Sequence, residues 1–406
     1  MSEAKVGKLF VGNTTFSVYV EMTRQLEEEG WVRITEESRV GLCDLVLGDR
    51  KSIPYAILRV EPMAPDSFFN GKRWVNYFLR SNHLTMKTFM AETLKAMDRT
   101  CGAWMPETYI IGGNQKLKKD DRETLLQVAE AAPDAIWIVK PGSGAKGKGI
   151  YLSKGAEKLQ ELITNHKETS RTVYAVQRYL ERPLLLSHRR KFDLRTWVFL
   201  TSPYSIYAFT QVSCRTASVP FDLGDIDNLY AHLTNHCLQE SHPDYSKYEE
   251  GNELWLPELE QYLIQEKGEA EGVLHEKVLP RIADLIVRTM LSMRPEMQVY
   301  PDEGYDCFQL FGYDMMIEED YTMQLIEING SPGIADRWLQ TVVQEMRVLL
   351  QCAKETDSAV APVVEGPSSV AERCKQWNIQ EANMVLLWKE GDDIPEGLSD
   401  DVRMES

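Results

Sequence analysis

The segments FQLFGYDMMI (308–317) and TMQLIEIN (322–329), joined by EEDY (318–321), decide how this chain is read. Both are rich in aromatic and branched residues and flank a four-residue turn, the pattern of a β-hairpin. A hairpin centred between Glu319 and Asp320 sets Asp314 opposite Leu325. Glu327 then lies diagonally across on the same face, with Asn329 two residues further on. Diagonal neighbours sit roughly 7–8 Å apart at Cα, within reach of one shared cation. Two carboxylates and an amide oxygen suit Mg²⁺, which takes a few protein oxygens and keeps room for substrate phosphates. Without a cation the two acids would repel at close range, unless both merely line a solvated edge.

Two other stretches carry charge into β-rich surroundings. WIVK (137–140) runs into PGSGAKGKG (141–149) and then IYL (150–152). Gly142, Gly144, Gly147 and Gly149 allow tight turns with N–H groups aimed at an anion, and Lys146 and Lys148 add positive charge. The loop matches GxGxxG but joins two strands, so it is no dinucleotide fingerprint; it matches GxxxxGK, but Gly149 stands where a Walker loop has Ser or Thr. No HRD or DFG triplet occurs, so a protein kinase is set aside. What remains is a hairpin lid over phosphates or an ordinary surface hairpin. Lys140, ending an apolar strand, favours the lid, because a lysine there needs an anionic partner. In KFDLRTWVFL (191–200), Lys191, Asp193 and Arg195 share one strand face. They suit a cleft for phosphates or a carboxylate, or a solvent-facing row of paired charges. Arg215, after the next strand, is a candidate for the same cleft.

Outward from these motifs, 406 residues predict two or three domains. Hydrophobic and charged fractions of 43% and 26% are those of a soluble globular chain. No apolar run approaches the roughly 20 residues that span a bilayer, and MSEAKVGKLF is no secretory signal, so a cytoplasmic location is expected. Cys43, Cys101, Cys214, Cys237, Cys307, Cys352 and Cys374 form no CxxC pair and read as reduced and mostly buried. A net charge of −17 argues against nucleic acid and membrane as partners. Residues 356–406 hold eleven Asp/Glu against four Lys/Arg. A cationic groove would have to be local, and Arg50, Lys51, Lys72, Arg73, Arg80 and Lys87 are candidates for it.

The periodicity predicts a small α/β unit over 1–66: a strand at Lys8–Val11, a helix at Phe16–Glu29, and a buried strand at Asp44–Leu47. Pro54, Pro62 and Pro65 mark its end. A central unit over 67–181 holds a helix at Leu84–Met97, the glycine loop and a helix at Ala156–Asn165. Residues 182–355 read as long antiparallel strands, a helix near Arg281–Met293, the hairpin and a helix at Arg337–Ala353. Residues 356–406 read as an acidic, partly disordered tail with one short helix around Val370–Trp388.

Taken together, the lysine with its glycine hairpin, the Lys-x-Asp-x-Arg strand and the Asp…Glu-x-Asn hairpin resemble the ATP-grasp architecture of the tubulin–tyrosine ligase family. The resemblance covers about residues 10–355 and rests on KPGSGAKGKGI (140–150), KFDLRTWV (191–198), CRTAS (214–218), HLTNHC (232–237), YSKYEEGNE (245–253) and the hairpin through GSPG (330–333). These stretches look more like tyrosine-adding members than glutamate or glycine ligases. The resemblance implies an α/β (α+β) ATP-grasp fold and an ATP- and Mg²⁺-dependent ligase. Such an enzyme would add free tyrosine to the C-terminal glutamate of the α-tubulin tail through an acyl phosphate. It implies a monomer acting on the tubulin dimer near the cytoskeleton. By the same resemblance Lys140, Lys146 and Gly147 would contact ATP phosphates, and Gln177, Arg178, Tyr179 and Leu180 would meet adenine. Lys191 and Asp193 would bind nucleotide, with Thr234 and Asn235 bordering it. Arg195 and Arg215, with Lys191, would serve the reacting carboxylate or acyl phosphate, and Asp314, Glu327 and Asn329 would hold magnesium. A tubulin glutamate or glycine ligase, a non-catalytic tubulin-binding homologue and a metabolic ATP-grasp ligase are the rival readings.

Overall fold

Short apolar strands alternating with amphipathic helices set the architecture from the start. The helix Ser17–Glu28 turns Val18, Met22 and Leu26 inward at the spacing of one helical face. Gly30, at φ +89°, ends it. The computed structural model describes residues 6–12, 14–59, 63, 67–112, 120–142, 147–165, 172–297, 299, 303–355 and 368–403. Among these, the strands in chain order are β1 (Lys8–Val11), β2 (Val32–Ile34), β3 (Leu45–Leu47), β4 (Trp74–Val75), β5 (Thr108–Ile111), β6 (Ile136–Pro141), β7 (Tyr151–Lys154) and β8 (Tyr174–Arg178). There follow β9 (Leu185–Leu186), β10 (Arg190–Thr201), β11 (Ser205–Phe209), β12 (Ser213–Pro220), β13 (Glu253–Trp255), β14 (Asp306–Ile317), β15 (Met323–Asn329) and β16 (Met384–Trp388).

Two sheets result. A twelve-stranded mixed sheet runs β13-β12-β10-β14-β4-β3-β1-β2, with β15 on β14, β9 and β11 on β10, and β16 on β11. The parallel pairing of Asp306–Cys307 with Trp74–Val75 joins the N-terminal α/β unit to the C-terminal strands in one sheet. A separate antiparallel sheet runs β5-β8-β6-β7. This is a mixed α/β fold of ATP-grasp type, with a cavity lined by residues of both sheets. No helix among the described residues is long and apolar enough to cross a membrane.

The helix expected over Leu84–Met97 is broken. Asn82–Thr85 and Lys87–Met97 are separated by Met86 in extended conformation, and the break delivers Thr85, Met86 and Lys87 to the cavity. The larger correction concerns the expected tail. The helix there spans only Val370–Cys374, and Met384–Trp388 is a strand paired antiparallel with β11. Trp377 and Trp388 are buried, and Arg373 meets Asp392 at 2.7 Å in a buried ion pair. The free edge of β11 and these two indoles draw residues 368–403 into the core; residues 356–367 lie outside the described residues. The cysteines are all free, and five of the seven are buried.

Trp377 packs into this core and its indole N–H donates to the Thr210 carbonyl at 2.9 Å. Trp377→Ala is therefore expected to cost about 3–5 kcal/mol in urea unfolding. An unchanged midpoint would show that residues 368–403 do not unfold with the rest.

Candidate active site

Alternation along β10 puts Lys191, Asp193 and Arg195 on one face, and the neighbouring strands extend that face sideways. Asp193 pairs with Arg215 on β12, and Arg215 with Glu253 on β13. One step along, Arg195 pairs with Ser213 on one side and with Asp314 of β14 on the other. Two rows of polar side chains thus cross the sheet and floor a cavity of about 880 Å³. Lys140 of β6 and residues Gln177–Leu180 close it from the smaller sheet.

The hairpin supplies both carboxylates by a route the simple register does not contain. Outside the site the pairs are Met315↔Leu325, Met316↔Gln324 and Ile317↔Met323, one residue away from the expected alignment. Continued unchanged, that register would put Asp314 and Glu327 on opposite faces. A bulge at Ile326 shifts the pairing, so that Asp314 stands directly opposite Glu327 and Gly312 opposite Asn329. The two acids are direct rather than diagonal neighbours, on the cavity face.

Each acid is already held by a cation. Asp314, buried, accepts a bidentate contact from Arg195, whose Nη2 lies 2.9 Å away, and a third contact from Arg215 Nη2 at 2.9 Å. Asn329 Nδ2 stands 3.4 Å from the same carboxylate. Burial would raise the Asp314 pKa, but the two guanidiniums outweigh it and hold the carboxyl well below the usual range. Arg215 also grips Asp193 with two contacts, Nε to Oδ1 at 2.8 Å. Burial disfavours its charge, and Asp193 and Asp314 overcome that. Glu327 meets Lys87 at 2.6 Å.

The two lysines are placed differently. Lys140 donates to Gln177 Oε1 at 2.5 Å, while Gln177 Nε2 donates to Thr108 Oγ1 at 2.9 Å, fixing the amide. Lys191 donates to the Tyr179 hydroxyl at 2.8 Å and the His232 carbonyl at 2.9 Å. These partners are neutral. Desolvation lowers Lys140 to about 8, with Glu327 opposing and Lys87 assisting; it lowers Lys191 to about 7 against the pull of Asp193. Tyr179 is itself positioned by His232 Nδ1 at 2.9 Å.

Gly147, Thr234 and Asn235 complete the wall. Gly147 sits at φ +73°, where an added Cβ would lie 3.3 Å from the Asn235 side-chain oxygen. Of the residues that the resemblance assigned to nucleotide, carboxylate or magnesium, all line this one cavity except Lys146, which lies outside the described residues. Arg178 sends its guanidinium over the Trp137 ring, 5.4 Å from its centroid. Lys87 belongs to the cavity rather than to an outer groove, a placement hidden by the helix break at Met86. Arg73 is removed from any groove: it is fully buried and donates to the carbonyls of Cys43 and Leu58. Trp197, Ser213, Glu253 and the segment 331–336 also line the cavity. Nothing in their local sequence marked them, apart from Trp197, Glu253 and Ser331–Gly333 lying inside motifs already singled out.

The family model described as Tubulin-tyrosine ligase family matches residues 70–350, more than half of the chain. The chain belongs to the tubulin-tyrosine ligase family. Among curated relatives, tubulin glycylase 3B of Tetrahymena thermophila is 30% identical over 57% of this chain and 19% of its own length. The probable alpha-tubulin polyglutamylase Ttll1 of the same organism is 27% identical over 65% and 67%. Human tubulin monoglutamylase TTLL4 is 29% identical over 64% and 21%. The chain thus aligns with about a fifth of the glycylase and of the monoglutamylase.

The depressed lysines make ligand binding proton-linked. Both lose protons below the ordinary lysine value of 10.5. The unfolded chain therefore binds more protons than the folded one from about pH 7 up to the ordinary lysine value of 10.5, and stability rises with pH across that span. A polyanion needs both ammoniums charged, so ATP binding at pH 8 should take up protons and weaken as pH rises. Calorimetry in two buffers of different ionisation enthalpy measures the uptake, which Lys191→Ala should reduce. No uptake in the unaltered chain would contradict the placement of these lysines.

Proposed function

We propose that this chain is an ATP-dependent ligase that forms an amide bond between an amino acid and a glutamate carboxylate of tubulin. One observation carries the reading: Lys140, Lys191, Arg195 and Arg215 converge from two sheets on one cavity beside the cross-strand pair Asp314 and Glu327. The family membership and the relatives' names, all of them tubulin-modifying, support tubulin as the substrate.

A carboxylate is a poor electrophile, because attack on it would expel oxide. Phosphorylation by ATP yields an acyl phosphate and ADP; the amine then attacks the carbonyl and phosphate leaves. Lys140 and Lys191 would neutralise phosphoryl oxygens, and Arg195 and Arg215 would grip the reacting carboxylate bidentately. Gln177–Leu180 would border adenine, with Asp193, Thr234 and Asn235 along the rest of the nucleotide. Much of the rate would come from holding three reactants together.

Among the described residues no cluster of three or more His, Cys, Asp or Glu is arranged for a metal. The available donors are two facing carboxylates and the Asn329 amide. This oxygen set suits Mg²⁺, whose remaining positions go to phosphates and water. When bound there, Mg²⁺ would offset charge developing on the transferred phosphoryl group. Arg195, Arg215 and Lys87 hold these acids, so the anionic substrate groups would have to draw these cations away for Asp314 and Glu327 to hold the metal.

The relatives named as glycylases and glutamylases weigh towards glycine or glutamate as the incoming amino acid. Tyrosine is the second reading. One feature favours it: Trp197, Pro332, Ile334 and Ala335 line the cavity near Arg195, an apolar wall that would gain buried area against an aromatic ring. This reading puts the chain in the cytoplasm beside microtubules.

The test incubates purified chain with Mg²⁺, ATP, tubulin ending in glutamate and each labelled amino acid in turn. Incorporation with one ADP per amide is expected. Glutamate or glycine alone supports the first reading, tyrosine alone the second, and no incorporation of any overturns the ligase. Glu327→Gln, which leaves the arginine network intact, should cut turnover at least about 100-fold.

A further inference from the structure

The acids around the cavity are not equivalent. Asp193 is gripped by Arg215, Asp314 by two arginines, and Glu327 by Lys87. Asp336 is exposed at the start of a helix. Glu253 differs from all of them. It is half-buried on β13, and its hydrogen-bond partner is a neutral hydroxyl: Ser213 Oγ donates to Oε1 at 2.9 Å. No ion pair reaches it among the described residues.

None of its charged neighbours forms an ion pair with it among the described residues. Arg215 is its cross-strand partner, but that guanidinium is turned towards Asp193 and Asp314. Glu249, behind it, is held by Arg190 at 2.6 Å and by the Thr216 hydroxyl. Glu258 accepts the backbone N–H of Trp255 at 3.2 Å. The cavity therefore carries one half-buried carboxylate with no cation of its own. It sits one strand spacing, about 5 Å, from the strand that bears Arg215, and Ser213 links it to the row containing Arg195.

We infer that Glu253 binds the ammonium group of the incoming amino acid. This rests on the ligase reading and deepens it. A partly desolvated carboxylate favours a cation that arrives with hydrogen-bond donors, and a primary ammonium brings three. Seated on Glu253, the nitrogen lies at the edge of the floor where Arg195 and Arg215 would hold the activated carboxyl group. The same placement separates the charges: anionic groups gather over the arginines and lysines of β6, β10 and β12, and the cationic one at β13.

Glu253→Gln preserves the shape and the acceptor for Ser213 but removes the charge. The KM for the amino acid should rise about 10-fold or more, with the KM for ATP within about twofold, and Glu253→Asp should recover part of the loss. Hydroxylamine, a small amine uncharged at neutral pH, traps acyl phosphates as hydroxamates without needing an ammonium site. Its ATP-dependent hydroxamate yield on tubulin should be equal in the unaltered and Glu253→Gln chains. An unchanged amino-acid KM, a parallel fall in hydroxamate, or lost ATP binding in Glu253→Gln would overturn the assignment. An unaltered chain that forms neither amide nor hydroxamate would instead overturn the ligase reading itself, and this assignment with it.

Discussion

The site is organised around one buried carboxylate. Asp314 receives both arginines of the cavity floor, one from each of two neighbouring strands. Either guanidinium buried alone would carry a desolvation penalty of several kcal/mol, and the acid between them offsets it. Asp314 thus allows two permanent cations to stand ready where water is scarce. Its partnership with Glu327 depends on a single extra residue, Ile326, without which the opposing strand would turn Glu327 to the far face of the sheet.

Arginines and lysines divide the labour along this floor. The arginines face acids and stay charged at any relevant pH. Lys140 and Lys191 face an amide oxygen, a phenol and a carbonyl, so their charge is conditional on what enters. An approaching anion therefore meets a surface whose positive charge grows as it arrives. The smaller sheet contributes Lys140 and the larger contributes Lys191, so a polyanion between them is gripped from both sides.

Much of this was legible in the order of residues. Period-two alternation placed Lys191, Asp193 and Arg195 on one face, and apolar flanks marked Lys140 as unusual. Local pattern failed where the outcome depended on distant partners. The bulge at Ile326 has no signature in LIEIN. Arg73 looks like a surface cation, yet it buries itself among backbone carbonyls of the first unit. Met384–Trp388 reads as a continuation of a helix until the edge of β11, some 175 residues earlier, is available to pair with it. The apolar wall of Trp197 and residues 332–335 joins separate segments of chain. For that reason family membership follows from short motifs, and the identity of the transferred amino acid does not.

The late strand β16 also shields its neighbour. Alone, β11 would present a five-residue border whose side chains are all buried in the native fold, with backbone donors and acceptors open to a second molecule. By lying along it, Met384–Trp388 turns an adhesive margin into interior. Shortened forms of the chain that stop before this strand would keep every cavity-lining residue, yet would self-associate in concentrated solution.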